Sequence, residues 1–143
     1  MADAPDPEAS DFRVRPTPEA QYESRVQRGV FDNVEERAWV LTQLRLLRHW
    51  PLSPAKQGRL GADLDFSKVH HAGDTFYELR LTGAPLSHNK NLRIFFWADG
   101  NSKTIWILHA YWKKTQRLDE SVKARVARRL RHLKGQIQDG SEI

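Results

Sequence analysis

Arg80 and Arg93 each interrupt an apolar run, YELRL and LRIFFW, and alternation puts both on the face opposite the aliphatic positions of their runs. On one face of a sheet, two permanent guanidinium charges are costly unless an anion such as phosphate visits or a carboxylate such as Glu78 pairs with one of them. The plainer reading is a pair of edge charges snorkelling to water. His109 is the only histidine inside a predicted strand, and alternation gives it Ile105, Ile107 and Tyr111 as face partners. Its imidazole either exchanges protons near neutral pH without a special environment or serves as a satisfied structural residue. Lys113 and Lys114 follow that strand directly. As a proton acceptor, either lysine needs clustered cations to lower its pKa; otherwise it is a phosphate clamp, or merely solvated.

Tyr111 and Trp112 have ring faces suited to stacking on an unpaired base, and Arg117, Arg125, Arg128 and Arg129 suit RNA phosphates. Aromatics at strand ends also fill cores. His70 and His71 lie near Asp74, but no second cluster completes a metal-ligand set, and the pair is assigned to a loop. No metal and no cofactor is expected. The absence of cysteine excludes a disulfide framework, thiolate zinc sites and a cysteine nucleophile.

One domain must position these groups, since 143 residues suffice for one real core and not for two ordinary ones. With 39% hydrophobic and 29% charged residues the chain should fold and be soluble. No apolar run approaches the roughly 20 residues of a membrane span, and MADAPDPEAS lacks the pattern of an export signal. A cytoplasmic location and no membrane partner are the expectation. The net charge of +5 hides an asymmetry: residues 1–29 carry four Arg against six acids, whereas residues 103–135 carry ten Lys and Arg against two, a net of +8. An anionic partner fits the second region, although basic residues also simply solvate a helix face.

Four of the seven prolines fall before Glu19, so residues 1–24 are read as a flexible extension, 25–137 as the folded domain and 138–143 as a flexible tail. Asn33 with Glu36 has the spacing of a capping box, and Val40, Leu41, Leu44 and Leu47 give one apolar helix face, ended by Pro51. A second helix is expected from Ser53-Pro54 to about Gly61. The period then changes to 2 in TFYELRL, LRIFFWAD and TIWILHAYW, three strands, with Asp99-Gly100-Asn101 marking a hairpin. Asp119 caps a last helix whose stripe is Val122, Val126, Leu130 and Leu133, with Gly135 as its stop. The expected fold is α+β: a small antiparallel sheet with two N-terminal helices packed on it and a basic C-terminal helix, with room for one more strand around residues 25–31.

YELRL (Tyr77 to Leu81), LRIFFW (Leu92 to Trp97), ILHAYWKKTQ (Ile107 to Gln116) and a basic helix ending in ARRL resemble, in that order, the RelE/HigB-type toxins of bacterial and phage toxin–antitoxin systems. More narrowly, the likeness is to the HigB-like, phage-derived branch of the RelE/ParE superfamily, over about residues 33–135. Two departures stand out. Leu118-Asp119 replaces the branch's usual Thr-Pro, where Asp119 can serve as the cap instead, and the N-terminal extension is longer than in most members.

The resemblance implies a RelE-like fold and an endoribonuclease that cuts messenger RNA, usually on the translating ribosome, by metal-free attack of a ribose 2′-hydroxyl on the adjacent phosphate. It also implies a separate antitoxin protein, expected to be of helix-turn-helix type, that holds the toxin inactive. Such a reaction needs a proton acceptor, a proton donor and cations for the phosphorane charge. Arg80, Arg93, His109, Lys113 and Lys114 are then the catalytic group, with Tyr111, Trp112, Arg117, Arg125, Arg128 and Arg129 on the RNA. The rival is a non-catalytic nucleic-acid-binding module on the same fold, or a DNA gyrase inhibitor of the related ParE type. A gyrase inhibitor needs no proton-transfer set, so the His, Tyr and Lys at 109–114 favour cleavage.

Overall fold

A computed structural model describes residues 12–18, 20, 34–49, 65–82, 91–112 and 120–140. Five strands form one mixed sheet: β1 (Arg13–Pro16), β2 (Asp65–His71), β3 (Asp74–Thr82), β4 (Asn91–Asp99) and β5 (Thr104–Trp112), in the spatial order β1-β5-β4-β3-β2. Strands β2 to β5 run as an antiparallel meander, and β1 joins β5 in parallel. Helix α1 (Val34–Leu46), followed by a 3₁₀ turn at Leu47–His49, and helix α2 (Glu120–Gln138) complete the described elements.

This corrects the expected fold. Among the described residues the sheet is mixed and has five strands, and one N-terminal helix, α1, stands where a pair on an antiparallel sheet was expected. The expected helix at 53–61 and strand at 25–31 lie outside the described residues. Strands β3, β4 and β5 fall where the period-2 pattern places them; β1 and β2 are the two it misses, for physical reasons. Arg13–Pro16 lies in the stretch read as an extension, and its RVRP offers one apolar side chain. Its odd residues face β5, as Arg13 N–H donates to Lys103 O (2.8 Å) and Thr17 N–H to Ile107 O (3.0 Å). Pro16 therefore turns its missing donor outward and costs the ladder nothing. In β2, Phe66 joins the cluster on one sheet face and Val69 the cluster on the other, so neither face shows a periodic apolar signal.

The loop assigned at His70-His71 is likewise overturned: both belong to β2, and the reversal is the two-residue turn Ala72-Gly73, with φ of +51° and +87°. Gly135 does not stop the last helix, which runs on to Gln138; Gly140, at φ +73°, ends it. Glycine inside a helix costs about 1 kcal/mol and does not forbid the conformation.

The sheet is covered on both faces. On one, Val40 and Leu47 pack with Leu79, Leu81, Leu92, Ile94, Phe96, Ile105 and Ile107. Leu41, expected on that helix face, is exposed instead. On the other face, α2 lays Val122, Val126, Ala127, Leu130 and Leu133 against Val69, Phe76, Phe95, Trp106 and Leu108.

Candidate functional site

The face under α2 changes character toward one end of the sheet, where its apolar positions give way to Glu78, Arg80, Arg93 and His109. Arg80 and Arg93 are direct partners in the β3–β4 register, so alternation places both on this face. Like charges directly opposite are destabilising, and the compensation comes from Glu78, two residues before Arg80 on the same strand. Its Oε1 lies 3.2 Å from Arg93 Nη1 and 3.7 Å from Arg80 Nη1. Arg93 is further fixed by Nε donating to Asn91 Oδ1 at 2.8 Å. Glu78 Oε2 is buried with no hydrogen-bond partner among the described residues. Two cations thus share one carboxylate. Arg80 also stands opposite Asp65 of β2 in the register, and Arg80 and Arg93 retain 31% and 13% of their side-chain exposure.

The same face receives His109 through an irregularity. Phe96 pairs with Ile107, yet Phe95 pairs with His109, leaving Leu108 as an extra residue in β5. Such a bulge sets two residues against one on the partner strand and so shifts the alternation of β5 by one residue from that point on. His109 consequently shares its face with Phe95 and Tyr111, and Ile105 and Ile107, its expected face partners, lie on the opposite one. Phe95, His109 and Tyr111 form a stack of three rings, with centroids 5.6–6.4 Å apart and planes within 19°.

At 4% exposure the imidazole offers almost no surface to a substrate. Its Nδ1 lies 3.2 Å from Arg129 Nη1, which also donates to Leu108 O at 2.9 Å. His109 is therefore a buried member of the site's support, and the groups with access to solvent are the two guanidiniums.

The structure divides the residues assigned to RNA. Arg125 and Arg128 are exposed on the outer side of α2, while Arg129 turns inward to the bulge. Tyr111 lies on the α2 face, and Trp112 packs into the cluster on the α1 face, so the two rings form no common platform. Lys113, Lys114 and Arg117 lie outside the described residues; the chain enters Lys113 from Trp112, whose partner in β4 is Leu92, next to Arg93.

His70 and His71 are separated by their strand: His70 Nδ1 is 3.0 Å from Thr75 Oγ1, and His71 Nδ1 is 3.9 Å from Glu120 Oε2. Among the described residues, no group of three or more His, Asp or Glu could hold a metal ion. No described helix is long and apolar enough to cross a membrane.

Sequence reasoning named Glu78 only as a possible counter-ion to one arginine. Its alternation with Arg80 was the signal that it sits between both. Asn91 and the inward turn of Arg129 had no such signal. Compared with family models, curated proteins and solved structures, the chain matches none.

Proposed function

We propose that this chain is the toxin of a toxin–antitoxin system, an endoribonuclease that cleaves messenger RNA in the cytoplasm and is held in check by an antitoxin protein. The observation that supports this reading is the Arg80–Arg93 register pair sharing Glu78, two partly exposed guanidiniums side by side on one sheet face. Paired guanidiniums match the oxygens of a phosphodiester in number and geometry.

In the reaction, the 2′-oxygen attacks the adjacent phosphorus and the bond to the 5′ oxygen breaks, leaving a 2′,3′-cyclic phosphate and a 5′-hydroxyl end. Arg80 and Arg93 hold the non-bridging oxygens and stabilise the charge that grows on them. Lys113 and Lys114, which follow β5 directly, supply the further cations; one of them takes the 2′ proton and the other, as an ammonium, gives a proton to the departing 5′ oxygen. His109 supports the two arginines from the same sheet face. Arg125 and Arg128 engage RNA phosphates on the outer side of α2, where the translating ribosome is the natural setting.

The test is expression of the wild type and of a Lys113→Ala/Lys114→Ala variant of verified folding, with growth and transcript integrity followed together. Growth arrest with cut transcripts in the wild type, and neither in the variant, is the expected outcome. Arrest with intact transcripts and accumulating DNA damage would instead favour the gyrase-inhibitor reading.

A further inference from the structure

Arg129 reaches from α2 into the sheet at the one place where the β4–β5 ladder is irregular. A single guanidinium nitrogen, Nη1, lies 2.9 Å from Leu108 O and 3.2 Å from His109 Nδ1. That nitrogen carries two hydrogens and has no lone pair to offer, because a guanidinium donates and never accepts. Both of its neighbours must therefore be acceptors. For the carbonyl this is automatic; for the imidazole it requires that Nδ1 carry no proton. The hydrogen bond made by one ring nitrogen decides which nitrogen holds the hydrogen.

We propose that Arg129 is a positioning residue that fixes His109 as the neutral tautomer with its only ring proton on Nε2. A second proton, on Nδ1, would point at a permanent cation in a site with 4% exposure. The ring thus enters the site as a hydrogen-bond donor through Nε2 and does not act as the proton acceptor. The same contact ties α2 to the bulge that carries His109 and, through the ring stack, to Tyr111, the partner of Arg93 in the β4–β5 register. Arg129 is in this way distinct from Arg125 and Arg128, its neighbours on the helix, which face solvent.

The structural half of this inference stands without any reaction; its consequence for turnover rests on the RNA-cleaving function proposed above. The tautomer is read from long-range proton–nitrogen NMR spectra of the ¹⁵N-labelled full chain near neutral pH. The wild type is expected to show His109 with a pyridine-type Nδ1 and a pyrrole-type Nε2. A protonated Nδ1, in either the other tautomer or the imidazolium, overturns the inference, and this measurement needs no variant to fold.

In folded Arg129→Gln, the fixed pattern should give way to a tautomeric mixture or protonation; an unchanged pattern removes Arg129 from the role. In an RNA-cleavage assay the same variant should lower kcat on the order of tenfold to a hundredfold with KM little changed. A raised KM at constant kcat would make Arg129 an RNA-binding residue instead. Absence of cleavage by the wild type would count against the nuclease reading alone, since the spectra report the tautomer separately.

Discussion

His109 lies directly opposite Phe95 in the β4–β5 ladder because Leu108 is an extra residue in β5, and the carbonyl of that residue is held by Arg129 from α2. A sheet irregularity, a helix side chain and a buried imidazole thus form one unit on the sheet face that also carries the Arg80–Arg93 pair.

Two arginines of α2 separate this unit from ordinary surface charge. Arg129→Ala removes a charged donor from a carbonyl and an imidazole and should cost about 1–3 kcal/mol. Arg131 pairs with Asp74 at 3.3 Å but is 59% exposed, so Arg131→Ala should cost no more than about 1 kcal/mol. Urea denaturation of both variants measures the difference, and equal losses would contradict it.

Glu78 is buried between two cations, so its loss strands Arg93, which is 13% exposed. Glu78→Met should destabilise the fold by about 3 kcal/mol, and adding Arg93→Met should restore part of that loss. Denaturation midpoints of the two single variants and the double variant give the coupling. Simple additivity would mean that the pair does not interact.

Why some of this was legible in the sequence and some not follows from particular residues. Period 2 survives in β3, β4 and β5 because each strand sends aliphatic residues to one face, and Arg80 and Arg93 stand out against that pattern. The same rule misplaced the partners of His109, because counting by twos cannot see an extra residue at Leu108. β2 stayed hidden because its two large apolar side chains face opposite ways. Its turn stayed hidden because Ala72 occupies a left-handed position where Asn or Asp would have announced a hairpin. Arg125, Arg128 and Arg129 read alike in sequence, and only the docking of α2 turns one of them inward.

The strained turn gives a stability prediction of its own. Ala72 holds φ +51° ahead of Gly73, a conformation that costs a residue with a Cβ about 1–2 kcal/mol. Ala72→Asn should raise stability by about 0.5–1 kcal/mol, and Gly73→Ala should lower it although its surroundings are open. Thermal or urea unfolding decides, and a destabilised Ala72→Asn protein would contradict the assigned turn.

The outer face of α2 makes a prediction about salt. If Arg125 and Arg128 each neutralise one phosphate of single-stranded RNA, each alanine substitution should shallow the plot of log affinity against log salt by about 0.7. Arg129→Ala should leave the slope unchanged. Fluorescence anisotropy with a labelled RNA oligonucleotide measures all three, and a change confined to Arg129 would reverse the assignment.

The most direct test of the central claim, that the guanidinium pair grips the phosphate being cut, is to translate a defined messenger RNA in a purified system with the protein added and map the new ends. The wild type should yield fragments with 5′-hydroxyl ends, and Arg80→Ala or Arg93→Ala, with folding verified, should slow their formation by about 10²–10³-fold. Intact messenger RNA with the wild type, or cleavage at full rate by both folded variants, would contradict the account.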